Sequence, residues 1–260
     1  MKQYDFVVNA KETLEKDQDV IGLAVGGSWL TNEIDEFSDV DLILVTKNKI
    51  SDDKTKMIGF ATRLGEFLSG FTGEHVGEPR VLICLYDNPL LHVDIKFLTL
   101  DELENRVETP AILFDKEKQL ESVFGKSKEQ FPYPDHQWIE DRFWIWVHYS
   151  LLKIGRGEYF EAFDFFGFLR MVVFGPLLHI KNGNFPRAVR KVEMELNPQD
   201  FFDLKKTIPE YDKQSLLRSL RHSITLYKDL RALLYDENIK LHSKTEEKVI
   251  EYFKEIENRS

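Results

Sequence analysis

One cysteine, Cys84, is all the chain has in 260 residues, so no internal disulfide can form and the fold must rest on its apolar core. Cys84 lies within Val81-Leu82-Ile83-Cys84-Leu85, where burial is a better expectation than reactivity. No run of about eighteen consecutive apolar residues occurs, which excludes an obvious membrane span. The opening Met-Lys-Gln-Tyr-Asp-Phe lacks the apolar stretch of a secretory signal, and together with the lone thiol this predicts a cytoplasmic chain. No His-x-x-x-His spacing or cysteine pair suggests zinc. Positive charge is also short. Lys and Arg number 35 against 45 Asp and Glu, leaving a net charge of −10 that opposes binding to nucleic acid. The same charge does not oppose a nucleotide, because a metal ion can neutralise its phosphates locally.

What is present falls into two compositional halves. Residues 1–130 mix helix and strand signals; residues 131–260 read as helices, and Phe131-Pro132-Tyr133-Pro134 marks the boundary. In the first half, helix is expected over 4–17, with Phe6, Val7, Ala10 and Leu14 on one side, and over 52–69, ended by Gly70 and Gly73. Strands are expected at 20–25, 40–46, 80–86 and 91–98, with an edge strand at 111–114 reached through a helix over 101–107. In the second half, Asp135 caps an almost wholly apolar helix to about residue 154, with Trp138, Trp144 and Trp146 read as core. A Phe-rich helix then runs over 158–180. Helices at 186–195, 198–207, 213–235 and 244–257 follow. The fold class this predicts is α+β, a small mixed β-sheet domain with flanking helices followed by an α-helical bundle.

Two stretches carry the chemistry. The first strand ends in Gly26-Gly27-Ser28, and ten residues later Asp39-Val40-Asp41 opens the second strand. Alternate residues of a strand share a face, so Asp39 and Asp41 project together while Val40 and Leu42 face the core. Farther on, His92, Asp94 and Lys96 alternate with Val93, Ile95 and Phe97, and Asp94 becomes a third carboxylate if the two strands are neighbours. Oxygen ligands suit magnesium, which takes one or two carboxylates together with phosphate oxygens. Gly26 and Gly27 allow close approach of backbone to phosphate, and Ser28, at or near the cap of a short helix, offers a hydroxyl. Lys96 either reaches a triphosphate or pairs with Asp94. His92 reads as a polar sheet residue.

The turn, the Asp-x-Asp pair and His92-Val93-Asp94-Ile95 together resemble the polymerase-beta-like nucleotidyltransferase superfamily. Within it, the chain is similar to bacterial aminoglycoside and lincosamide nucleotidyltransferases, which append a helical domain to the catalytic sheet. Arg156-Gly157-Glu158-Tyr159-Phe160-Glu161-Ala162 and Phe168-Leu169-Arg170 resemble helices of uncharacterised relatives of that type. The resemblance implies that Gly26, Gly27 and Ser28 hold the nucleotide, with Lys96 a further candidate beside them on its own residue chemistry. It implies that Asp39, Asp41 and Asp94 bind two Mg²⁺ ions, and that Asp94 assists deprotonation of an acceptor. It further implies transfer of AMP from ATP to a hydroxyl of a small molecule, with antibiotic resistance as the family's associated role. A monomer or homodimer, with a cleft between sheet and helices, is the implied assembly.

The acceptor side is read from Glu158, Glu161 and Asp164, which fan across about a third of a Phe-rich helix. They either pair with Arg156, Arg142 or Arg170, or present a carboxylate face that binds a hydroxylated, cationic acceptor with Glu161 as general base. Two other functions compete: AMP transfer to a protein hydroxyl, as in toxin–antitoxin nucleotidyltransferases, and a non-catalytic nucleotide-binding regulator. The large helical half argues against the first and the retained carboxylates against the second. A nucleic-acid polymerase is opposed by the acidity.

Overall fold

A computed structural model describes residues 1–259. The chain divides into two compact units, Met1–Phe131 and Pro132–Ser260. In the first, α1 (Lys2–Leu14) leads to β1 (Val20–Val25) and β2 (Val40–Thr46), then α2 (Lys54–Ala61), β3 (Glu66–Gly73), β4 (Glu78–Asp87) and β5 (Leu91–Leu98). Short α3 (Leu100–Leu103), β6 (Ala111–Asp115) and α4 (Gln119–Lys126) complete it. The six strands form one sheet in the order β3-β4-β5-β2-β1-β6. All neighbours run antiparallel except β2 and β5, which are parallel. The expected mixed sheet with flanking helices is therefore present, with β6 at an edge.

The sheet is covered unequally, and that asymmetry positions the site. Val40, Leu42 and Leu44 of β2 and Val93, Ile95 and Phe97 of β5 point into a large core with Val7, Ala10 and Leu14 of α1 and Met57 and Ala61 of α2. Full burial of each of the larger of these side chains, Val, Leu, Ile, Phe or Met, contributes about 1.5–3 kcal/mol. On the opposite face a smaller cluster joins Ile21, Ala24, Val45 and Leu98 to Leu103, Leu120 and Val123 of α3 and α4. That cover lies over the C-terminal ends of β2 and β5. Their N-terminal ends, where Asp41 and Asp94 stand, carry polar side chains instead.

Three elements depart from the expectations. The second helix stops at Ala61 rather than 69, and Phe67 and Leu68 belong to a strand. The helical period of Met57, Phe60 and Leu64 is overridden by pairing, because Phe67 faces Tyr86 and Phe71 faces Ile83 across β3 and β4. Gly70 sits inside β3, 3.2 Å in Cβ clearance from the Ile83 carbonyl, and ends no helix. The helix expected over 101–107 is only the four residues of α3, held by a Thr99–Glu102 capping box. Helix α4, which was not expected, exists because Leu120 and Val123 have a sheet face to cover.

The second unit is helical. Helix α5 (His136–Arg156) starts where expected: the Asp135 carboxylate accepts from the Gln137 and Trp138 amides, and left-handed Gly157 closes it. It is less apolar all round than its sequence suggests. Trp144 is fully buried, but Trp138 is 39% exposed and Ile145 62% exposed, so Trp138 is not core and Trp146 is only packed against its edge. Helix α6 (Tyr159–Leu169) continues through a π turn, Arg170–Phe174, into α7 (Gly175–Lys181). The run Tyr159–Lys181 is long and apolar enough to cross a membrane by length and composition, against the expectation of none; half of its apolar window is buried in the bundle. Short α8 (Val192–Glu195) and α9 (Pro198–Lys205) precede α10 (Lys213–Leu234) and α11 (Ser243–Asn258). Buried Glu140 of α5 ties the unit together, accepting from the Tyr227 hydroxyl (2.5 Å) and the His242 amide (2.9 Å).

Candidate active site

The parallel pairing of β2 with β5 makes the site. Its register sets Asp41 directly beside Asp94, with Val40 beside Val93 and Leu42 beside Ile95. Because facing residues of adjacent strands share a face, the two carboxylates stand on the same side, about 5 Å apart at the backbone. Asp39, one residue before the strand, falls on that side as well. Its charge bears on Asp94. Burial raises the Asp94 carboxyl above its ordinary value, the His92 hydrogen bond opposes this, and the negative charge of Asp39 adds to the rise. His92 Nε2 lies 2.9 Å from Asp94 Oδ1.

The glycine turn meets this face edge-on. The Gly26 amide donates to the Asp41 carbonyl (2.9 Å), which carries the β1–β2 ladder one step past β1. Gly27 adopts φ of +61°, a left-handed conformation, and a Cβ there would overlap Asp41 Oδ2. Only glycine satisfies both conditions. The short helix after it is a single 3₁₀ turn, Gly27–Trp29, preceded by Gly26, so Ser28 lies within the turn rather than at its cap. Trp29 packs on Tyr4 of α1 with ring centroids 4.6 Å apart. The Gln3 side-chain amide donates to the carbonyls of Asp35 (2.9 Å) and Ser38 (2.8 Å). Helix α1 thereby anchors both ends of the loop between the turn and Asp39.

Lys96 does not pair with Asp94. Its ammonium pairs with Glu78 of β4 at 2.8 Å, and Arg80 holds the same carboxylate at 2.6 Å. Hydrogen bonds from Arg80, then Lys96, hold the Glu78 carboxyl down at about 2. Cys84 is buried in the same strand, and burial pushes its thiol up to about 12, so it is packing rather than chemistry.

One residue of the site went unnoticed in the sequence. The Gly27 amide donates to Glu108 Oε1 at 2.9 Å, and a Cβ on Gly26 would sit 2.7 Å from that oxygen. Glu108 reaches the turn because β6 pairs with β1, setting Ala111 opposite Val25. Nothing local in Val107-Glu108-Thr109 signals this; only the pairing of the edge strand could.

The acidic helix residues have a different setting. Lys153 of α5 pairs with Glu158 (2.7 Å) and Glu161 (2.9 Å), and the Tyr149 hydroxyl donates to Glu161. Tyr149 first and Lys153 second hold the Glu161 carboxyl below its ordinary value. Pairing is with a lysine and a tyrosine, not chiefly with the arginines expected; only Arg156 approaches Glu158, at 3.8 Å. Arg170 instead donates to the Thr207 carbonyl (2.8 Å). Asp164 is exposed.

Among the described residues, no three His, Cys, Asp or Glu side chains are gathered into a ready-made metal cage. The donor set still fits magnesium in the manner that ion prefers. All three groups are carboxylates, and the Asp94 carboxyl, raised by burial and to a lesser extent by the Asp39 charge, is one whose ionised form a dication would favour. Magnesium is usually held by one or two carboxylates plus phosphate oxygens rather than by an all-protein cage.

No protein-family model matches the sequence, and no curated protein does. Among solved structures the chain is similar to an aminoglycoside 6-adenyltransferase from Bacillus subtilis. That likeness has 16% identity and a TM-score of 0.40, and covers 98% of this chain and 97% of that one. It is also similar to a nucleotidyltransferase-like protein from Exiguobacterium sibiricum, with 14% identity, a TM-score of 0.36, and coverage of 90% of this chain and 76% of that one. At such distance the chemistry has to be argued from the carboxylates and the glycine turn themselves.

Proposed function

We propose that the protein is a metal-dependent nucleotidyltransferase that moves a nucleoside monophosphate, AMP from ATP, to a hydroxyl of a small molecule. The observation that carries this reading is the cross-strand pairing of Asp41 with Asp94 beside the left-handed Gly27 turn. An acidic floor next to a glycine turn suits a phosphate chain that arrives with divalent cations. Asp39 and Asp41 would hold Mg²⁺, which supplies charge neutralisation for the phosphates and the leaving pyrophosphate. Gly26, Gly27 and Ser28 would orient the phosphate chain. The acceptor oxygen forms a bond to the α-phosphorus while the bond to the bridging oxygen of pyrophosphate breaks, and the acceptor's proton passes to a carboxylate.

Asp94 is the better base for that proton. Its carboxyl is raised, whereas Glu161 is lowered and engaged by Tyr149 and Lys153. His92, bonded to Asp94, holds its orientation. The net charge of −10 favours a cationic, hydroxylated acceptor.

The test is release of pyrophosphate from ATP with Mg²⁺ across a panel of aminoglycosides, lincosamides and hydroxylated metabolites. Release that depends on one acceptor, and is lost in Asp41→Ala, supports the proposal. MgATP binding without release for any acceptor points to a nucleotide-binding regulator. Label transferred to a polypeptide in lysate points to protein modification. No binding of nucleotide at all sinks the reading.

A further inference from the structure

The Gly27 amide, which the proposed function assigns to phosphate, already has an anion on it. Glu108 Oε1 accepts from it at 2.9 Å, and this is the carboxylate's one hydrogen bond among the described residues. On its other side, Gly27 lies against Asp41. The turn is therefore pinched between two carboxylates, and its glycines are needed because carboxylate oxygens take the space of a side chain.

A carboxylate oxygen and a phosphate oxygen ask the same thing of an N–H, so Glu108 occupies the amide as an internal counterpart of the ligand. The backbone that carries it is fastened. Arg106 donates to the Ser127 hydroxyl (2.6 Å), the Ser127 carbonyl (2.7 Å) and the Thr109 hydroxyl (3.2 Å), and Thr109 donates to Glu129 (2.9 Å). Pro110 is buried. The half-buried side chain of Glu108 can turn away by its own rotamers while the segment stays in place.

We propose that Glu108 is a specificity-determining gate on the phosphate turn. Its carboxylate competes with the incoming phosphate chain for the Gly27 amide, so metal-free nucleotide is rejected and metal-charged nucleotide is admitted. A bare triphosphate would bring its charges against Asp39, Asp41, Asp94 and Glu108 at once. A triphosphate carrying divalent cations meets the same four groups with its charge largely cancelled, so it bears the cost of displacing Glu108 without the added repulsion. The inference rests on the nucleotidyl-transfer reading.

The experiment is calorimetric titration of the full chain with inorganic triphosphate and with ATP, each in excess Mg²⁺ and in EDTA. Wild type, Glu108→Ala and Glu108→Gln are compared. Alanine frees the amide and removes the charge; glutamine keeps the reach and the acceptor but not the charge, and serves if alanine fails to fold. Replacing a charge-assisted hydrogen bond is worth about tenfold or more. Glu108→Ala should tighten both ligands in EDTA by about that factor, with Glu108→Gln between it and wild type. In Mg²⁺ the amide must still be freed but the repulsion is cancelled by the cations, so the gain in Glu108→Ala should be clearly smaller than in EDTA. Equal affinities in EDTA overturn the gate, as does weaker binding by Glu108→Ala in both conditions, which marks a merely supporting role for the turn. Wild type that binds MgATP while the variants show no metal-dependent difference overturns the gate alone. Wild type that binds neither ligand in Mg²⁺ overturns the nucleotidyl-transfer reading and the gate with it.

Discussion

Carboxylates cluster twice in this molecule, once on the sheet and once on α6, and the two clusters are balanced in opposite ways. Glu158 and Glu161 share a lysine at 2.7 and 2.9 Å, and Glu161 is held ionised by it and by Tyr149. Asp94 is met by a histidine and by the charge of Asp39, and burial pushes its carboxyl up. The neighbouring helix α5 compensates Glu158 and Glu161; the sheet accumulates its acids on a half-covered face. An acid that the fold compensates is explained by the fold. Acids that repel one another cost stability, and such a cost is commonly the mark of a site whose counter-charge comes from outside.

The sharpest way to break this comparison is Asp41→Ala. It should reduce nucleotidyl transfer by at least about a hundredfold, because charge neutralisation at the phosphates is the largest single contribution to such catalysis. MgATP should then also lose its effect on the melting temperature, where wild type gains about 2.7 kcal/mol at a ligand concentration of a hundred times Kd. Undiminished pyrophosphate release would remove the sheet cluster from the chemistry. Next in size, Asp94→Asn should abolish most activity while leaving the melting temperature of the ligand-free protein equal or higher. Asparagine keeps an acceptor for His92 and removes a charge that burial disfavours. A clear fall in melting temperature would mean that Asp94 is structural.

Glu78 gives a smaller effect with a defined sign. Its folded carboxyl lies at about 2, below the ordinary 4.5, because Arg80 and Lys96 hold it. A depressed carboxyl contributes stability that is present above pH 4.5 and is lost as pH falls from there toward 2. Melting temperatures of wild type should therefore drop more steeply over that interval than those of Glu78→Gln. Parallel curves would show that Arg80 and Lys96 do not hold the Glu78 carboxyl down. The smallest effect is expected of Lys153→Met, whose carboxylate partners stand partly in solvent where salt screens the pair. It should lower the melting temperature slightly at low salt and hardly at all at high salt, with nucleotide affinity unchanged. A change in nucleotide affinity would erase the contrast between the two clusters.

Much of this was legible from residue order, for reasons particular to each element. The strands with two-residue alternation, β2 and β5, were found with their faces, since their polar and apolar sides differ at every step. Helix α5 was found because an Asp cap and a left-handed glycine bracket it. The stretch 62–69 was misread as helix because Leu64, Phe67 and Leu68 fit either period, and only the β4 partner decides between them. The ion-pair partner of Lys96 is hidden for a similar reason: its face is legible, but not that Glu78 of the neighbouring strand shares it. Glu108 was not found at all, lying in a connection with no pattern of its own.

The sequence by itself determined the local grammar of this protein: where strands and long helices begin, which side of each strand is polar, and that Gly26, Gly27, Asp39 and Asp41 belong to one turn-and-strand unit. These are properties of neighbours along the chain, and short-range sterics and periodicity dictate them. Tertiary structure alone decided what stands beside that unit. The β2–β5 register brought Asp94 to Asp41, the β1–β6 register brought Glu108 to Gly27, and the β4–β5 register gave Lys96 to Glu78. Strand register is set by burial summed over a whole face, a quantity that no single stretch contains.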